Sequence, residues 1–141
     1  MNGFRNQLTL VGRILLALIF VLSGFGKLTA PAAAIGYMAH AGMPAALIHP
    51  GLIASILVEF GLGMLIVLGY RARWAAILIV LWLIPVTIIF HAIPYREAKA
   101  HGQAMMALMQ QINVLKNLSI MGGLLMLAGS GSGAYSLDGG K

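Results

Sequence analysis

The chain has 141 residues, of which 60% are hydrophobic and only 9% charged, with a formal net charge of +6. That composition belongs to an integral membrane protein, and four spans of ~20 residues leave no length for a soluble catalytic domain of ~100 residues. The bases flank apolar runs and so suit lipid headgroups rather than nucleic acid, while the absence of cysteine excludes a disulfide, a thiolate-held iron–sulfur cluster and a dithiol relay.

The first apolar run, 8–28, carries Arg13 near its start and Lys27 at its end. It has the outline of a signal peptide, but Lys27 directly after the apolar stretch is unsuited to cleavage, so a retained first span is expected. Between Pro31 and Pro50, the breaker Gly42-Met43-Pro44 predicts a short interfacial or re-entrant helix. The second span is expected over 51–70. Arg71 and Arg73 then form a tight basic turn into a third span, 72–93, with Tyr70 and Trp74 at headgroup level. Pro85 predicts a kink in that span, and Pro94 its end. A polar, Met-rich stretch leads into the last span, 112–128. The tail, 129–141, is Gly- and Ser-rich and expected to be mobile, except where Tyr135 to Asp138 dock locally. The predicted fold class is therefore an all-α membrane protein, an antiparallel four-transmembrane-helix bundle with a short interfacial helix after the first span. Gly24, Gly26, Gly61, Gly63, Ser119, Gly122 and Gly123 predict close backbone approach between its helices.

In that topology Arg5, Arg13, Arg71, Arg73 and Lys141 lie on the side of the termini, against Lys27, Arg96, Lys99 and Lys116 on the other. The Arg71–Arg73 turn carries most of the signal and places both termini in the cytoplasm.

Glu59 stands alone near the middle of the second span. A charge there costs at least ~2.5 kcal/mol on insertion scales, so it needs a partner or a function. Lys27, His91 and Lys116 converge on the outer level of the bundle. Glu59 lies ~13 Å below Pro50, and a Glu59–Lys116 pair is expected if their helices are neighbours. Arg13 is ~21 Å of helix from Lys27, so it is expected to reach back to the inner boundary or to meet Asp138. Two readings stay open for the outer group: an ion pair that fixes helix register, or an outward-opening pocket for a small amphipathic ligand or a proton relay, with Glu59 and His91 titrating. Asn117 and Gln111 would add neutral hydrogen bonds.

His101, Met105 and Met109 recur at four-residue spacing, a thioether–imidazole set that could take Cu(I). Methionines flanking a membrane helix are more simply packing residues, and no metal site is assigned. No phosphate-cradling loop or Ser–His–acid set is visible.

Gly12-Arg13-Ile14-Leu15, Ser23 to Leu28, the Glu59 span with Gly61 and Gly69, the Arg71–Arg73 turn, and Lys116-Asn117 with Ser136-Leu137-Asp138 occur in an order and spacing that resembles the DoxX family of small bacterial membrane proteins. The likeness covers nearly the whole chain. It implies a four-helix bundle in the bacterial inner membrane and a link with redox work, since one relative is a membrane subunit of a thiosulfate:quinone oxidoreductase and others accompany oxidative-stress or sulfur-transfer partners. Carried onto this chain, quinone binding would use Lys27, Glu59, His91 and Lys116. A chain without cysteine or a soluble domain suits a membrane subunit whose oxidoreductase partner supplies the other half-reaction, rather than a complete enzyme. The alternatives are a non-catalytic scaffold or assembly factor and a small-molecule transporter, which would need a homodimer to enclose a path.

Overall fold

The computed structural model describes residues 2–139, and every regular element among them is helical. Helix α1 is Asn2–Thr29 and the short α2 is Pro31–His40. Three long helices follow: α3, Ala45–Leu68; α4, Ala72–Ala100; and α5, Ala104–Ser130. All four long helices are apolar and long enough to cross a membrane. At 24 to 29 residues for α3 and α4, they exceed a hydrocarbon core of ~30 Å, so their ends project into the headgroups or beyond.

The second span starts at Ala45, ahead of Pro50, which lies inside the helix. Pro50 withdraws one amide hydrogen bond, from the carbonyl of Ala46, an exposed residue in the first turn where polar surroundings can take its place. Pro94 likewise fails to end α4. The carbonyl it orphans belongs to Phe90, and the Tyr37 hydroxyl donates to that oxygen at 3.2 Å. A π-helical turn over Ile88–Ala92 opens the helix where the proline ring would crowd it.

The last helix also begins early, so the apolar stretch from 112 starts two turns inside it. Beyond Ser130 the described tail is docked rather than loose. Ser132 is buried, the Leu137 amide donates to the Leu68 carbonyl at 3.2 Å, and the Asp138 amide donates to that of Gly69 at 3.1 Å. Residues 140 and 141, part of the tail expected to be mobile, lie outside the described residues.

Around the bundle α3 packs between α1 and α4, and α5 packs chiefly on α4 and less closely on α1. The core lies where Ala75, Ala76, Ile79 and Leu83 of α4 meet Leu124 and Leu127 of α5, closed by Phe20 and Ile66. Large apolar side chains such as Leu57 (66% exposed) and Met126 (73%) point outward. In water such a surface would drive aggregation, whereas against acyl chains it is the expected face.

Of the small residues, Gly24, Gly63 and Gly123 sit at helix contacts, while Gly26, Gly61 and Gly122 face open space. A Cβ on Gly24 would fall 2.5 Å from the Phe60 backbone nitrogen, so α1 and α3 could not keep their approach. Gly24→Ala is expected to cost about 1–3 kcal/mol. Gly61→Ala should stay within about 0.5 kcal/mol of the wild type. Thermal unfolding in mild detergent checks this pair, and equal midpoints for the two variants would contradict it.

Candidate functional site

Helices α1 to α5 enclose a partly open cavity of about 740 Å³. Its walls are largely apolar, with Phe20, Met38, Trp82, Leu83 and Ile89 among them, and its polar groups collect at Ser23, Lys27, Glu59, His91, Lys116 and Asn117. All five residues singled out for a ligand or relay role thus reach one cavity, although four separate helices supply them.

Glu59 is paired, but with Lys27 and not with Lys116. Lys27 Nζ lies 2.6 Å from Glu59 Oε2 and donates also to Ser23 Oγ at 2.7 Å. Serine and lysine four residues apart share a helix face, so Ser23 was legible as a support for Lys27. The choice of lysine follows from helix order: α1 packs directly on the π turn that bears Glu59, whereas the backbones of α5 and α3 do not approach closely. Lys116 Nζ instead donates to Asn113 Oδ1 at 2.9 Å.

Glu59 and His91 both stand on π-helical turns, Leu57–Leu62 and Ile88–Ala92. A π turn holds one extra residue, which rotates the following side chains by about 100° around the axis, and such turns recur at functional sites. His91 Nδ1 lies 2.9 Å from Gln110 Oε1. An amide oxygen only accepts, so in this arrangement Nδ1 donates to it. The glutamine expected to contribute was Gln111, which is exposed; its neighbour Gln110 faces the histidine. Asn117 is buried and its Nδ2 donates to Thr87 Oγ1 at 3.0 Å.

Several contributors had no clear signal in the sequence. Thr87 and Ser55 look like ordinary residues of apolar helices, yet both are buried near the cavity. Tyr37 makes α2 a wall of the cavity by stacking on Phe90, with ring centroids 5.7 Å apart. The carbonyl orphaned by Pro94 was the one hint that a donor was needed there. Trp82 lines the cavity and its indole N–H is buried without an acceptor among the described residues.

Arg13 turns toward the end of α3 and the docked tail that carries Asp138, but no contact within 4 Å joins the two charges. Arg13 is 3% exposed and donates to the carbonyls of Ser132, Val67 and Tyr135. Asp138 lines a smaller cleft of about 230 Å³ with Arg71, Arg73 and Trp74. His101 occupies the turn before α5, where its Nδ1 lies 2.8 Å from the Glu97 carbonyl. It therefore does not share a helix face with Met105 and Met109, which are exposed. No cluster of three or more His, Asp or Glu side chains suited to a metal occurs among the described residues.

The family model of DoxX matches residues 8–92, the stretch that carries α1 to α3, most of α4, and both π turns. The chain belongs to the DoxX family. Two Escherichia coli (strain K12) proteins extend the match to nearly the full length. Inner membrane protein YqjF is 35% identical over 129 residues, spanning 92% of this chain and 88% of its own. Inner membrane protein YphA is 35% identical over 134 residues, spanning 95% of this chain and 90% of its own. No solved structure matches. With four apolar helices and these relatives, this DoxX protein is a multi-pass inner-membrane protein in contact with the bilayer.

Proposed function

We propose that this DoxX protein is the small-molecule-binding membrane component of a redox or stress-related system, and that it holds a quinone or a similar small amphipathic molecule. The observation that carries the reading is the cavity itself. About 740 Å³ of mostly apolar space, with an ion pair and a histidine converging on it, has the size and mixed lining of a ligand site. With the termini in the cytoplasm, as the Arg71–Arg73 turn suggests, its polar end opens outward.

In this reading Lys27 and Glu59 meet the ligand's polar head, and Asn117 fixes its orientation. A quinone reduced by two electrons takes up two protons, and in this reading Glu59 and His91 pass them. The electrons come from an oxidoreductase partner, since this chain has no cysteine.

The test is a titration in nanodiscs with a short-tailed benzoquinone, followed by tryptophan quenching in a Trp74→Phe background that leaves Trp82 as sole reporter. Saturable quenching is expected, weakened at least about tenfold by Glu59→Gln or His91→Ala. Should neither the wild type nor any variant bind while Glu59→Gln loses stability, the ion pair is a register lock and the protein a scaffold.

A further inference from the structure

We propose that the molecule held in this cavity carries an anionic head, a carboxylate on an apolar tail, and that Lys116 is its counter-ion. The inference rests on the ligand-binding reading above and specifies its chemistry.

Lys116 lies on α5 four residues into the apolar stretch from 112, at the outer level of the bundle, where its exposed side chain lines the cavity. A cation there is costly unless its ammonium stretches to the headgroups or something compensates it. Nothing described within the protein does. The one ion pair among the described residues joins Lys27 to Glu59, and the hydrogen-bond partner of Lys116 is the neutral amide oxygen of Asn113.

The charge count of the cavity follows from these partners. Lys27 and Glu59 cancel, and Lys116 leaves an excess of at least one positive charge, since His91 carries no negative charge in any form. The hydrogen-bond count points the same way. The Lys116 ammonium has donated one proton of three, and the Trp82 indole N–H is buried with no acceptor among the described residues. Surplus donors and a surplus cation call for a head that accepts hydrogen bonds and is negative.

A neutral quinone satisfies the donors but not the charge. A carboxylate satisfies both, and ammonium–carboxylate bonds are about twice as strong as neutral ones. The aromatic and aliphatic walls formed by Phe20, Trp82, Leu83 and Ile89 suit an alkyl tail. The ligand class is therefore that of a fatty acid. An anionic phospholipid whose phosphate met a Lys116 side chain stretched toward the headgroups would offer the same chemistry from another source.

The experiment compares palmitate with methyl palmitate in nanodiscs of pure phosphatidylcholine, which contain no anionic lipid, reading the heat of binding against empty nanodiscs. Palmitate is expected to bind at least about tenfold tighter than its ester. Lys116→Gln should reduce that ratio below about threefold. Equal affinities of acid and ester for the wild type would overturn the anionic head and leave the amphiphile reading standing, and this arm needs no variant to fold. An unchanged ratio in Lys116→Gln would overturn the role of Lys116. If neither palmitate, its ester nor the benzoquinone bound, the ligand-binding reading would fall as well. An acid preference lost only when phosphatidylglycerol is added would mean that a lipid phosphate competes for the same lysine, which supports the charge assignment and identifies the second source.

Discussion

Arg13→Met is expected to release the segment after Ser130 from the bundle and to destabilise the protein by about 3 kcal/mol or more. The guanidinium joins three parts of the chain at once: α1, which bears it; the end of α3, through Val67; and the returning tail, through Ser132 and Tyr135. A hydrogen bond to a charged group contributes about 1.5–3 kcal/mol, and an acceptor left bare in a buried site costs ~1–3 kcal/mol. Removing the charge recovers some of its burial cost, which keeps the net effect below the sum of three such bonds. Arg13→Lys keeps the charge but not the planar fork that spans separate carbonyls, so it should recover less than half of the loss. Hydrogen exchange at the Leu137 and Asp138 amides, which pair with Leu68 and Gly69, reports the release directly. Wild-type protection of those amides in Arg13→Met would show that the tail docks without it.

The second large effect is expected from the Lys27–Glu59 pair. Glu59→Leu leaves a lysine facing the cavity without its partner, and Lys27→Met leaves a carboxylate. Each single change should cost about 2 kcal/mol, less than the 3–5 typical of a fully buried pair, because the two side chains are 20% and 14% exposed. The double variant Lys27→Met/Glu59→Leu should regain most of that loss, since no orphan charge is left. A coupling energy below about 0.5 kcal/mol from this cycle, read by unfolding in mixed micelles, would show that the pair does not set the register of α1 against α3.

These two arginine and lysine contacts also mark where reading the sequence stopped. Arg13 and Glu59 were recognisable as charges that an apolar helix does not carry without a reason, and the four spans were plain from hydropathy and length. The partners were not. Lys116 and Lys27 are equally plausible for Glu59 by depth alone, because depth depends only on rise per residue. Which lysine arrives depends on which helices are neighbours, and α5 packs on α4 instead of α3. Similarly, Arg13 was matched to the nearest acid in the tail, while the structure satisfies it with backbone carbonyls, whose positions no side-chain pattern encodes.

The prolines teach the complementary lesson. Pro50 and Pro94 read as boundaries, since each removes a backbone donor. Both are tolerated inside helices, one because its orphaned carbonyl belongs to an exposed first turn, the other because Tyr37 from a distant helix supplies a hydroxyl. The two π turns escaped notice for the same reason: a single extra residue in a turn leaves no trace in hydropathy, yet it sets the facing of Glu59 and His91.

From its amino acids alone the chain determined its solvent, its number of spans and the positions where charge is buried at a cost. Those are sums over local composition, and local composition is what a sequence displays. The cavity, the Lys27–Glu59 bond and the tail held by Arg13 were decided only by the tertiary packing. Each depends on the angular facing and neighbour order of helices far apart in the chain, which arise from close contacts such as Gly24 against Phe60 and from no property of either residue by itself.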